Sequence, residues 1–215
     1  MHHARASARR LQRHASARPT VSLQRRTTGG SRLERLAIIV SAMSGVSSFT
    51  TTELLRDGRR VEIRALRPGD RAALLAAADH TSDQSLYRRF FGVRRAFSEE
   101  EVAAFVNVDF VDEIALIAML REGEREVIAG GGRYIVVRPG TAELAFTVVD
   151  EFQGQGIASA LLRHLTALAR AAGVREFIAE VLPDNTAMLR VFERSGLRME
   201  RKRADGVVHI TLQVV

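Results

Sequence analysis

The sequence predicts an α/β fold, a sheet of mixed strand direction covered by helices, and three observations predict it. Segments in which apolar and polar residues alternate are interspersed with segments whose apolar residues recur at three and four positions. Three strand-like segments joined by short turns stand together in the middle of the chain. Directly after the third, a glycine-rich turn, Gln153-Gly154-Gln155-Gly156-Ile157-Ala158, opens a long amphipathic helix.

Val61-Glu62-Ile63-Arg64-Ala65-Leu66 alternates with period two and reads as a strand. Arg67-Pro68-Gly69-Asp70 is a turn whose Asp caps a helix over Arg71–Asp79. Ser82 or Asp83 caps a second short helix through Phe91, with Gly92 as its stop. Ser98 and Glu101 have capping-box spacing and start a third helix reaching about Val106. Ile114–Leu120 and Val127–Val137 form a hairpin around Glu122-Gly123-Glu124-Arg125. Arg138-Pro139-Gly140 turns the chain into Glu143–Val149, the third strand. In the helix over 156–172, Leu161, Leu165, Leu168 and Ala172 keep one apolar stripe, and Gly173 ends it. Glu176–Leu182 is a strand, and Asp184 caps a helix to Arg194 that Gly196 stops. Leu197–Lys202 and Val207–Val214 pair around Asp205-Gly206.

The length of 215 residues suits one domain with a tail, long enough to bury a core. The net charge of +7 belongs to the tail: residues 1–42 hold nine Arg and one Glu, while the remainder holds 23 basic and 24 acidic residues. The charge therefore gives no ground for a nucleic-acid partner, and no zinc-finger, helix-turn-helix or RNA-recognition pattern supplies one. Residues 1–42 read as a basic disordered tail, upstream of a translation start at Met43. The run Leu36–Val40 is too short to span a bilayer, so no membrane partner is expected. With no cysteine, disulfides, thiolate metal sites and a cysteine nucleophile are excluded, and a cytoplasmic location fits. Lys202 is the one lysine. His80, His164 and His209 lack metal-ligand spacing, and no metal is expected.

A turn almost without side chains at the head of a helix presents free N–H groups at the positive end of the helix dipole, which suits a diphosphate. Glu143 lies on the strand that leads there. An anion cradle beside a carboxylate suggests a site that holds a phosphorylated cofactor and moves a proton.

The element order, with Gln153-x-x-Gly156-x-Ala158 opening the helix, resembles the GCN5-related N-acetyltransferase (GNAT) family. Asn185, Met188, Phe192 and Gly196 match the family pattern of the later helix, and the likeness covers roughly 61–215, which sets the expected domain. It implies a mixed, mostly antiparallel sheet flanked by helices. A narrower likeness, through Ser85-Leu86-Tyr87-Arg88-Arg89-Phe90-Phe91-Gly92, Phe105–Phe110 and Glu113–Leu116, is to the acetyltransferase domain of Pat-type bacterial protein lysine acetyltransferases. Such enzymes modify acyl-CoA synthetases and related proteins, and their domain is often fused to a cyclic-nucleotide-binding or acyl-CoA-synthetase-like region. The residues upstream of 61 are too few and too polar to be either.

The resemblance implies attack of a primary amine, with a protein lysine first in view, on the thioester of acetyl-CoA. The rival acceptors are small amines such as an antibiotic or polyamine; a third reading is an acyl-CoA-binding regulatory module. Without cysteine the transfer is direct. Only about one lysine in a thousand is neutral near pH 7.4, so a general base helps by about 10²–10⁴-fold. Glu143 aligns with the Glu that acts as base in the Pat-like subfamily. Phe192 stands where many relatives carry a general-acid Tyr, so that role is absent; a thiolate can leave unprotonated. Gln153, Gly154, Gln155, Gly156, Ile157 and Ala158 are expected on the diphosphate, with Ser159 adding a hydroxyl. Val148 and Val149 are expected to offer backbone groups to the pantetheine amides, and Asn185 to reach the pantetheine arm or merely cap its helix. Arg88 and Arg89 read as a solvated face, and Phe90 and Phe91 as core.

Overall fold

In the computed structural model, residues 45–91 and 97–215 are described. The tail over 1–42, the start at Met43 and the stop at Gly92 lie outside them. The strands are β1 (Thr50–Leu54), β2 (Arg60–Ala65), β3 (Glu113–Glu122), β4 (Arg125–Arg138), β5 (Thr141–Val148), β6 (Glu176–Val181), β7 (Arg198–Ala204) and β8 (Val207–Gln213). The helices are α1 (Arg71–Asp79), α2 (Asp83–Phe90), α3 (Glu99–Val106), α4 (Ile157–Ala171) and α5 (Thr186–Glu193). All eight strands form one sheet in the order β1-β2-β3-β4-β5-β6-β8-β7. Every neighbouring pair is antiparallel except β5 and β6.

The sheet begins ahead of the expected boundary at 61, because β1 pairs along its whole length with β2. Thr50-Thr51-Thr52-Glu53-Leu54 has no apolar alternation to announce it. Its tie is polar and distant: Glu53 accepts from Arg163 Nη2 (2.9 Å) and meets His164 Nε2 (2.7 Å), both on α4. Those bonds, the Arg163 one foremost, hold the Glu53 carboxyl below its ordinary pKa.

Caps explain most helix starts. Ser82 accepts from the Ser85 N–H at the head of α2, and Ser98 and Glu101 form the expected capping box on α3. Asn185, not Asp184, caps α5, its Oδ1 accepting from the Met188 N–H at 3.2 Å. The chain leaves α2 already at Phe91, which takes a left-handed conformation at φ 52°.

Alternation along the strands divides the core. On one face of the sheet Leu116, Tyr134, Leu144 and Phe177 pack with Leu161 and Leu165 of α4 and Phe192 of α5. On the other, Ala115, Ile117 and Met119 lie under Leu74 of α1 and Phe105 of α3. Gly132 is required on β4, since a Cβ there would sit 2.7 Å from the Phe146 ring. Arg64 is buried on β2 because Asp70 receives it through two bonds of 2.7 and 2.8 Å. Burial disfavours the Asp70 charge, but Arg64 and the Arg67 N–H outweigh it and keep the carboxyl below its ordinary pKa.

Candidate active site

The two parallel strands stay together only where Thr141–Glu143 meet Glu176–Ile178. Beyond those pairs a cleft of about 330 Å³ opens, walled by Leu144–Val148 on one side and Ala179–Val181 on the other. The turn after β5 and the first residues of α4 floor it, and Met188 and Phe192 of α5 flank it. Phe192 is fully buried, edge-on to Phe146 with ring centroids 6.2 Å apart.

The turn has the expected backbone character. Gly154 and Gly156 adopt φ of 77° and 100°, a left-handed conformation that a side chain would strain. Gly156 precedes α4 without any side-chain cap. The first intrahelical bond of α4 is Ala160 N–H to Gly156 C=O. Among the described residues, the amides of Gly154, Gln155, Gly156, Ile157, Ala158 and Ser159 meet no protein acceptor. They are an array of free donors at a helix head, which fits the diphosphate of coenzyme A.

Two residues expected on the ligand are instead fastened to the protein. The Gln153 N–H goes to the Asp150 carbonyl. Its Nε2 reaches Asp150 Oδ1 (2.8 Å), Ser85 Oγ (3.2 Å) and the Val148 carbonyl (3.2 Å). Val149 is buried, its N–H on the Ala129 carbonyl and its own carbonyl on the Phe152 N–H. Val148 lines the cleft, and strand alternation turns its N–H away from β4. Gln155 also has protein partners, Arg59 Nη2 at 2.5 Å and the Glu151 carbonyl at 3.1 Å. Asn185 lines the cleft while its Oδ1 caps α5.

Asp150 is the knot of the site. It accepts the Ser82 N–H (2.5 Å) and Ser85 Oγ–H (2.6 Å), bolting the start of α2 to the turn. Its burial is outweighed by the bonds from Ser85, Ser82 and Gln153, so its carboxyl stays below the ordinary pKa. At the other end of α2, Arg88 pairs with Asp184 at 3.0 Å, just before the α5 cap. The helix is thus a strap across the cleft.

Glu143 is 6% exposed, on β5 between Ile135 of β4 and Ile178 of β6, and it lines the cleft where those strands part. Arg89 faces it from the last turn of α2 and is itself buried, more deeply than its neighbours Phe90 and Phe91. The expected solvated face is therefore wrong for Arg89. The available signal was its spacing of three from Leu86, the other buried residue of α2. Burial, helped by the Arg133 charge, pulls the Arg89 pKa down to about 9 against the opposing pull of Glu143 and Glu113. Arg133 is paired with Glu113, donates to the Phe105 carbonyl (2.8 Å) and stacks on that ring at 3.7 Å. Arg89, Ala145 and Thr147 also line a second cavity, of about 170 Å³, beneath α1, α2 and α3.

Sequence reasoning missed two other features. Glu180 lies in the cleft on β6, with His209 Nδ1 3.5 Å away. The near-neutral sum of the folded part hides a local concentration of cations, since Arg56, Arg88, Arg89, Arg190 and Arg194 all reach the cleft. Among the described residues no cluster of three metal-binding side chains exists, and no helix is long and apolar enough to cross a membrane.

A mostly antiparallel sheet that splits between β5 and β6, with a glycine turn heading the helix after β5, is the fold of an N-acetyltransferase domain. A family model described as the acetyltransferase (GNAT) domain matches residues 60–198, and the chain belongs to that family of acetyl-CoA-using enzymes. It is 35% identical over 146 residues to acetyltransferase Pat of Mycolicibacterium smegmatis, covering 66% of this chain but 42% of that protein. It is 34% identical over 151 residues to acetyltransferase PA5475 of Pseudomonas aeruginosa, covering 69% and 80%. The crystal structure of the GNAT domain of S. lividans PAT superposes with a TM-score of 0.69 at 36% identity, over 76% of this chain and 96% of that one. YncA of Salmonella typhimurium, solved with acetyl-CoA, shares the fold at 20% identity and a TM-score of 0.59, over 72% and 94%.

Proposed function

We propose that this chain transfers the acetyl group of acetyl-CoA to the side-chain amine of a protein lysine, with Glu143 as general base. The observation that carries this reading is the place of Glu143: a buried carboxylate where β5 and β6 part, on the strand that ends at the free-amide turn. The likeness to Pat and to the S. lividans PAT domain supports a protein acceptor, and the Pat-type resemblance of the sequence makes an acyl-CoA synthetase the first candidate.

The amides from Gly154 to Ser159 hold the diphosphate, and the Val148 N–H holds the pantetheine arm as an added strand would. The lysine amine attacks the carbonyl carbon. Glu143 takes the proton that the nitrogen sheds, directly or through one water, and the C–S bond breaks with the electron pair leaving on sulfur. Phe192 is apolar and gives no proton, so the sulfur departs as thiolate.

Glu180 favours a second reading. A further carboxylate on the cleft wall suits a small polycationic amine. A thiol-release assay with acetyl-CoA, run against purified acyl-CoA synthetases, lysate proteins and an amine panel, decides. Turnover with amines alone selects the second reading, and no turnover with any acceptor removes both.

A further inference from the structure

The hairpin between β1 and β2 precedes the segment that the family model matches, yet it sits on the cofactor turn. Its own bonds shape it: the Leu55 N–H reaches the Arg59 carbonyl at 2.8 Å and the Gly58 N–H reaches the Leu55 carbonyl at 3.0 Å. Leu55 is buried, and Arg59 fastens the loop by donating to Gln155 Oε1 at 2.5 Å. Asp57 is engaged by the Arg59 N–H (3.0 Å) and Nε (2.8 Å). Arg56 is left over. It lines the cleft, and among the described residues it makes no side-chain hydrogen bond or ion pair. Its Nε lies 3.9 Å from the point where a Cβ on Gly156 would stand.

We propose that Arg56 is a side-chain clamp on the diphosphate of coenzyme A, reaching the anion from the side opposite the α4 amides; this rests on the reading of the Gly154–Ser159 turn as the diphosphate site. The glycine at 156 leaves the space between guanidinium and turn open. A diphosphate carries two negative charges, and a pair of its oxygens can accept from both arms of a planar guanidinium fork. Asp57, the carboxylate of the loop between the two strands, is already occupied by Arg59, so Arg56 keeps its charge for the ligand.

The test is titration calorimetry of the full chain with coenzyme A and with dephospho-coenzyme A, which keeps the diphosphate and lacks the 3′-phosphate. Arg56→Ala should weaken both ligands about tenfold, as expected for loss of a charge-assisted contact at a partly screened site. Arg56→Lys should recover part of the loss, because a point charge replaces the fork. In turnover the change should fall on KM for acetyl-CoA far more than on kcat. Equal affinity of Arg56→Ala and wild type for both ligands overturns the clamp. So does a loss confined to coenzyme A, which would assign Arg56 to the 3′-phosphate. Failure of the wild type to bind either ligand removes the underlying reading of the turn, a result distinct from the other two.

Discussion

Glu143→Gln separates chemistry from binding at one atom. The amide keeps the size of the side chain and its register between Ile135 and Ile178, so the coenzyme A affinity set by the turn should not change. Near pH 7.4 about one lysine in a thousand is neutral, and a positioned base contributes about 10²–10⁴-fold. The variant should therefore lose roughly 10²–10³-fold in turnover there. Its rate should then climb about tenfold per pH unit as the free amine rises, so that the deficit closes towards the lysine pKa of about 10.4. The substitution also has a stability side that the structure specifies. The Glu143 charge is the foremost influence keeping buried Arg89 protonated, against burial and Arg133. Its loss should destabilise the fold by about 1–3 kcal/mol, since a buried cation loses a compensating charge. Adding Arg89→Met should restore part of that stability without restoring turnover. The assay is thiol release across pH 6.5–10, paired with coenzyme A calorimetry and urea melts. Turnover within about threefold of wild type near neutral pH would refute the base role outright.

Three more outcomes follow from the structure. Gly156→Glu places a side chain at φ 100° and a negative charge on the free-amide turn, so coenzyme A should give no calorimetric heat while the circular dichroism spectrum stays folded. Asp70→Asn leaves Arg64 buried without its carboxylate and should cost about 3 kcal/mol in urea melts at pH 7. The folded Asp70 pKa lies below the ordinary carboxylate value of about 3.9, so wild type holds this stability above that pH and loses it as the pH falls further. The penalty of the variant should therefore shrink by pH 3, and an equal penalty at both values would exclude the linkage. Tyr134 Oη is buried without a hydrogen-bonding partner among the described residues, and burial pushes its pKa up to about 12. Tyr134→Phe should match or exceed wild type by about 1 kcal/mol in melts at neutral pH. Wild type alone should lose stability between about pH 10 and 12, where the unfolded tyrosine ionises first; a variant that melts well below wild type at neutral pH would contradict this.

The meander and the α4 turn were legible because their signals are local. The unbroken apolar run Ile114–Leu120, Pro139-Gly140 between β4 and β5, and paired glycines before a long apolar stripe each act within a few residues. The strand β1 was not, because its hold on the fold is Glu53 meeting Arg163 and His164, 111 positions away for the histidine. The β1–β2 hairpin escaped for the same reason, with Arg59 and Gln155 lying 96 positions apart. Arg89 is buried against expectation because a charge at the foot of a cleft finds Glu143 and Glu113, whereas Phe91, expected in the core, is half-buried where the chain already turns out of α2. The turn's donors were legible as a group. Which of them face inward to the protein, Gln153 and Val149, required the coordinates of Asp150 and Ala129.

The brief parallel contact between β5 and β6 has a mechanical side. Three rungs join a five-stranded panel to a three-stranded one, so in the sheet this is the seam most easily pried apart. A molecule lodged there with bonds to both panels would work as a rivet. The cohesion of the enzyme would then track the supply of its own acyl donor.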